Sequence, residues 1–182
     1  MRKWIYLATA AGLVVGTLAG YSFEHHQMVR ANDQRLNAQL AQLASYLNLA
    51  QIDLREATSN PTTPQEQAYE VNYKVAVAQA SAIWGSLSAA LIPNGFSAAN
   101  VELIRTGLNV IHWNILPPNG MSPTSPTVRR AHAWIALLQK TVSIPNGLGK
   151  ANYLAHLRTH IGPVVHTYES YRSDGNFQVP PE

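Results

Sequence analysis

Apolar positions in this chain form one unbroken run and then a series of stripes at helical spacing. The run, Trp4 to Phe23, holds twenty uncharged residues. At about 1.5 Å rise each they span roughly 30 Å, the hydrocarbon thickness of a bilayer. Trp4, Tyr6, Tyr21 and Phe23 put aromatic rings near its two ends, where such rings favour the headgroup level. Arg2 and Lys3 precede the run and Glu24-His25-His26 follow it, so the positive-inside bias predicts a cytoplasmic N-terminus, a single pass through the cell membrane and an extracytoplasmic remainder. The alternative is a signal peptide cleaved near Thr17-Leu18-Ala19-Gly20, which would leave a secreted protein; the bilayer length and the exit aromatics favour a retained anchor. Gly12, Gly16 and Gly20 share one face of this helix, the spacing that lets a second helix backbone approach and predicts a homodimer or a membrane-protein partner.

Beyond the run, Val29, Leu36, Leu40, Leu43, Leu47, Ala50 and Leu54 follow steps of three and four, interrupted by polar Asp33 in the same register. This heptad seam predicts a coiled-coil-like stalk helix over 24–58. A second helix is announced by Thr63 as N-cap, Pro64 at the first helical position and Glu66 where a capping box needs a carboxylate, with a seam of Tyr73, Val77, Ala80, Trp84, Leu87 and Leu91. A third has Ser97 as cap, Phe96 and Val101 as a hydrophobic staple, and the stripe Val101, Ile104, Leu108, Ile111 and Ile115. The fourth follows Ser125-Pro126 and carries Val128, Ala131, Ile135, Leu138 and Val142. A fifth runs from about Gly149 to Arg172 with Leu154, Leu157, Ile161 and Val165 inward, and Gly162-Pro163 predicts a kink or division within it.

Nothing alternates like a strand, and stripes of this spacing pack at shallow angles. The expected fold is all-α: an N-terminal transmembrane helix followed by an antiparallel bundle of four to five helices. The expected organisation is a cytoplasmic stub (1–3), the anchor (4–23), the stalk (24–58), an extracytoplasmic bundle (64–172) and a flexible tail (173–182). Three connections share a phrase, Ile92-Pro93-Asn94-Gly95, Pro117-Pro118-Asn119-Gly120 and Ile144-Pro145-Asn146-Gly147, in which proline stops a helix and Asn-Gly accepts positive φ.

Composition narrows the chemistry. The absence of cysteine removes disulfides, thiolate chemistry and a lipoprotein anchor. Charged residues are only 13% of the chain, about half the usual share, so the surface depends little on ionisation and suits an acidic or variable exterior. Charge is divided along the sequence: residues 24–102 carry net −3 and residues 103–182 net +4 with histidine neutral. No acid lies between Glu102 and Glu169, whereas Arg129, Arg130, Lys140, Lys150 and Arg158 do. Either the acidic and basic helices neutralise one another in the bundle, or these five cations meet something anionic, such as lipid headgroups, a cell-wall polymer or an acidic protein. An extracytoplasmic location and the lack of an aromatic-rich basic groove argue against nucleic acid.

Five of the seven histidines fall in this basic half. His156 and His160 stand one helical turn apart, a spacing that a metal can bridge, and His112 and His132 would complete a transition-metal or haem site if the bundle brought all four together. The helix carries no glutamate of the zinc-protease type, and hydrogen-bonded structural histidines are the simpler reading, with no cofactor. No Gly-x-Ser-x-Gly elbow occurs, and Gly147-Leu148-Gly149-Lys150 lacks the spacing of a phosphate-binding loop. Tyr73, Trp84, Trp113 and Trp134 either line a pocket or fill the core. The expected function is therefore non-enzymatic: a membrane-anchored, extracytoplasmic interaction or scaffold module for a partner protein or an anionic envelope component. The alternative is a ligand-, metal- or haem-binding sensor-like domain.

Overall fold

The computed structural model describes residues 34–59, 64–114, 125–143 and 150–174. These residues are helical throughout, with no strand among them. The helices are α1 (34–59), α2 (Pro64–Leu91), α3 (Ala98–Asn114), α4 (Pro126–Val142) and α5 (Lys150–Ser173), with a 3-10 turn at Ile92–Asn94. The run Trp4–Phe23 with Gly12, Gly16 and Gly20, the Thr63 cap, Ile115, the tail 175–182 and two of the three Pro-Asn-Gly phrases lie outside the described residues. Two compact units divide at Asn37, Met1–Asn37 and Ala38–Glu182. The packing below is that of the second.

The aliphatic stripes face inward as their spacing requires. Leu40, Leu43, Leu47 and Leu54 of α1, Val77, Leu87 and Leu91 of α2, Ile104, Leu108 and Ile111 of α3, Ile135 and Leu138 of α4, and Leu157 of α5 are completely buried. Burying a side chain of this size contributes about 1.5–3 kcal/mol. The large aromatics join this core and are tied to a neighbouring helix by their polar atoms. Tyr73 Oη donates to Ile111 O (3.1 Å), Trp84 Nε1 to Val101 O (2.8 Å), Trp134 Nε1 to Val164 O (3.0 Å) and Tyr153 Oη to Val142 O (3.0 Å). Each bond spares a buried donor a desolvation cost of about 1–3 kcal/mol and fixes the axial register of two helices.

Those bonds give the topology. Tyr73 meets Ile111 and Trp84 meets Val101, so α2 and α3 are antiparallel; Trp134–Val164 and Tyr153–Val142 make α4 and α5 antiparallel. Gln39 Nε2 reaches Ser86 Oγ (2.6 Å) and Gln51 Nε2 reaches Gln139 Oε1 (2.7 Å), which sets α1 between α2 and α4. The ring therefore runs α1–α2–α3–α5–α4. An odd ring cannot alternate throughout, and the parallel pair is α3 with α5: Arg158 lies by Phe96 and Tyr168 by Gly107. The approach is close at Gly107, where an added Cβ would stand 2.7 Å from the Trp134 ring.

Two sequence expectations change here. The 24–58 segment is not a free stalk beyond Ala38, because its seam forms one wall of the same compact unit as the other helices. A heptad seam states that a helix has a partner, not which one. Second, α5 is not divided at Gly162-Pro163; it is continuous with Pro163 inside it. Thr159 and Pro163 are both exposed, so the carbonyl that loses its N–H partner faces water.

The α2–α3 connection is a Schellman turn. Gly95 takes φ +84°, its N–H bonds Ile92 O (3.0 Å), and Phe96 N–H bonds Leu91 O (3.3 Å), with both Phe96 and Leu91 buried. Phe96 and Val101 bracket the start of α3 as a staple, with Ser97 Oγ 3.5 Å from Asn100 N.

Candidate functional site

The described cations do not form one patch. Arg129 and Arg130 stand in the first turn of α4 and Lys140 in its last, about 16 Å away along the axis. Arg158 projects from α5 onto the α2–α3 turn, where its guanidinium donates to Asn94 O and lies 5.6 Å from the Phe96 ring centre. The Lys150 side chain lies outside the described residues.

Charge neutralisation between the acidic and basic halves is likewise absent from the ion pairs observed. Arg55–Glu56, Lys74–Glu70 and Arg105–Glu102 each lie within one helix, and Arg130–Asp174 joins α4 to the residue after α5. None of these four links α1 or α2 to the basic helices. Where α1 meets α4 among the described residues, the amides of Gln51 and Gln139 pair, and Arg55 and Arg129 line one cleft.

That meeting produces the most distinctive feature of the surface. Leu54, Arg55 and Thr58 near the end of α1 and Val128, Arg129 and His132 near the start of α4 enclose a cleft of about 300 Å³. Leu54 and Val128 are buried and form an apolar floor. The Thr58 hydroxyl is turned to its own helix, donating to Leu54 O (2.8 Å) and lying 3.1 Å from Arg55 O. Arg55, Arg129 and His132 supply the rim. The first turn of α4 contains no acid to offset the positive end of the helix. A second cleft, of about 490 Å³, is lined by Pro126, Arg129, Arg130 and Tyr171, so Arg129 stands between the two. Arg130 is engaged there, with Nη1 3.2 Å from Asp174 Oδ2 and its guanidinium 5.3 Å from the Tyr171 ring centre. The exposed Arg129 guanidinium has no ion pair or hydrogen bond among the described residues. The α1 contribution has no local signal in the sequence: Thr58 and Val128 meet only in the folded chain.

The four candidate metal ligands are not brought together. His112 Nδ1 is 3.0 Å from Lys74 O, His132 flanks the α1–α4 cleft, and His156 and His160 stack on α5 with ring centres 4.0 Å apart. His160 Nδ1 lies 2.8 Å from His156 O, the geometry of a donated N–H. No group of three or more His, Asp or Glu side chains placed to hold a metal occurs among the described residues. Of the four candidate aromatics, Tyr73, Trp84 and Trp134 are core, whereas Trp113 is 70% exposed with His112 edge-on to it at 4.6 Å.

A second surface lies on the outside of α2. Val71, Val75, Ala78, Ala82 and Ala89 are exposed, and with half-buried Gly85 they repeat in steps of four and three on the face away from the core seam. No charged residue follows Lys74 in this helix. The segment Gln67–Asn94 is consequently long and apolar enough to cross a membrane by length and composition. The chain matches no family model, no curated protein and no solved structure.

Proposed function

We propose that this protein is a membrane-anchored, extracytoplasmic helical interaction module, held at the membrane by Trp4–Phe23, whose outer α2 face receives an apolar helix of a partner membrane protein. The observation that carries the reading is the Val71–Val75–Ala78–Ala82–Ala89 stripe. A bundle helix gains nothing in stability from valines 59% and 52% exposed, and contiguous apolar surface of this kind marks association sites. Small residues let a partner backbone approach closely, and the three-four repeat matches a helix laid along it. An uncharged face selects an uncharged partner, since docked charges there would lose water without gaining an ion pair.

The test is photo-crosslinking in native membranes with p-benzoylphenylalanine placed at Val75 or Ala82 of the full chain, and at exposed His166 on α5 as a control. The expected result is one adduct, of the same mass from both α2 positions and missing from the control. An adduct of twice the chain mass would replace the partner by a second copy. Labelling no greater than at His166 would end the proposal.

A further inference from the structure

The α1–α4 cleft is separate from the α2 face, and either reading can fail without the other. We infer that this cleft binds a single-chain anionic amphiphile, its acid group on Arg129 and its hydrocarbon over Leu54 and Val128. The floor offers apolar contact and no spare hydroxyl, because Thr58 hydrogen-bonds to its own helix. A bare inorganic anion would leave that floor unused, and an uncharged chain would leave the arginine unused. A molecule carrying both parts uses both, gaining burial below and a charge-assisted hydrogen bond at the rim.

The arginines around the two clefts are not equivalent. Arg130 is committed to Asp174 and Tyr171, and Arg55 Nε lies 3.5 Å from Glu56 Oε1. Arg129 alone of the three has no partner among the described residues, and it lines both clefts. With no ion pair among the described residues, its guanidinium is open to the acid group of a ligand lying on the apolar floor. At about 300 Å³ the cleft sits at the small end of ligand sites, which suits one chain better than two.

The test uses the full chain in zwitterionic nanodiscs and two photoreactive probes of equal chain length, a diazirine-bearing dodecanoate and the corresponding dodecanol, with adducts mapped by mass spectrometry. The dodecanoate is expected to label peptides containing Leu54–Thr58 and Val128–His132 and the dodecanol is not. Arg129→Ala should lower that labelling about tenfold or more, Arg129→Lys should retain part of it, and Lys140→Ala at the far end of α4 should leave it unchanged. Thermal midpoints equal to wild type establish that the variants fold. Equal labelling by the alcohol, labelling indifferent to Arg129→Ala, or adducts confined to residues 1–33 would overturn the inference.

Discussion

The contact at Gly107 makes the packing of the ring measurable. Replacing a helix-interior glycine by alanine gains about 0.5–1 kcal/mol from backbone entropy. At Gly85 the added Cβ meets nothing within 4 Å, so Gly85→Ala should realise that gain and raise Tm by roughly 2–3 °C. At Gly107 the same atom would stand 2.7 and 2.8 Å from two carbons of the Trp134 ring and 3.1 Å from Tyr168 Cδ2, against an ordinary contact of 3.4–4 Å. The indole must retreat by about 0.7 Å, yet it is completely buried and its Nε1 is held on Val164 O. Overpacking of this kind costs about 1–3 kcal/mol, and stretching the indole hydrogen bond forfeits part of a further ~1 kcal/mol. After the backbone gain, Gly107→Ala should be destabilised by about 1–3 kcal/mol and lose roughly 3–9 °C in Tm. Thermal unfolding followed by circular dichroism on the full chain in detergent micelles reads both variants. Trp134→Phe in the Gly107→Ala background should cost less than in wild type, a coupling of about 1 kcal/mol. A Gly107→Ala protein as stable as wild type would refute the close α3–α4–α5 approach.

Burial pushes the Tyr73 and Tyr153 phenols up, and also Tyr168, where Arg172 partly opposes it. Unfolded phenols ionise near pH 10, so this stability is complete below pH 10 and declines above it, by up to about 1.4 kcal/mol per pH unit per tyrosine; a urea midpoint unchanged from pH 9 to 11 would contradict it. Asp53 is pushed up by desolvation, so its carboxylate costs stability above the folded-state pKa, and the cost disappears as pH falls. Asp53→Asn should therefore raise Tm at pH 7 and match wild type below pH 3.8, as paired melts at the two pH values would read. Gly95→Ala forces a Cβ into φ +84° and should lower Tm by roughly 3 °C, with Gly95→Asn losing less; equal melting of all three proteins would remove the strain argument.

The stripes were legible because a helix buried on one side repeats every three to four residues whatever it packs against. Leu40 to Leu54, Tyr73 to Leu91 and Val128 to Val142 needed no tertiary knowledge. The inner face of α5 is broader than the stripe Leu154, Leu157, Ile161 and Val165, because that helix packs against both α3 and α4. Tyr153, Val164 and Tyr168 widen it, and a helix with two neighbours needs a broader apolar face than a seam. The place of α1 was illegible for the complementary reason, since its heptads fit a stalk and a bundle wall equally. Of the four candidate histidines, His156 and His160 share a face of α5 and stack one turn apart. His112 lies by Lys74 of α2 and His132 at the α1–α4 cleft, positions set by which helices are neighbours, which spacing along one helix does not encode.

Neighbour order also decides what the charge division means. A ring closed in chain order would set α5 beside α1; the observed ring sets α4 there, so the C-terminal part of α1 meets the N-terminal turn of α4. Over 34–59 α1 carries Arg35 and Arg55 against Asp53 and Glu56, so it is net neutral and brings no surplus of carboxylate to basic α4. At the seam Arg55, Arg129 and His132 line one cleft, Glu56 pairs with its own neighbour Arg55, and the amides of Gln51 and Gln139 meet farther along. Arg55 and Arg129 carry the same charge on one cleft, so they repel one another by an amount that salt screens. An anion on Arg129 reverses the sign of the contact. Raising ionic strength should therefore stabilise the free protein slightly and weaken its hold on an anionic amphiphile, two opposite responses from the same pair of arginines. Full-chain melts and dodecanoate labelling across 0.05–0.5 M salt would separate them, and a fall in both would show that Arg55 and Arg129 do not oppose one another in the free bundle.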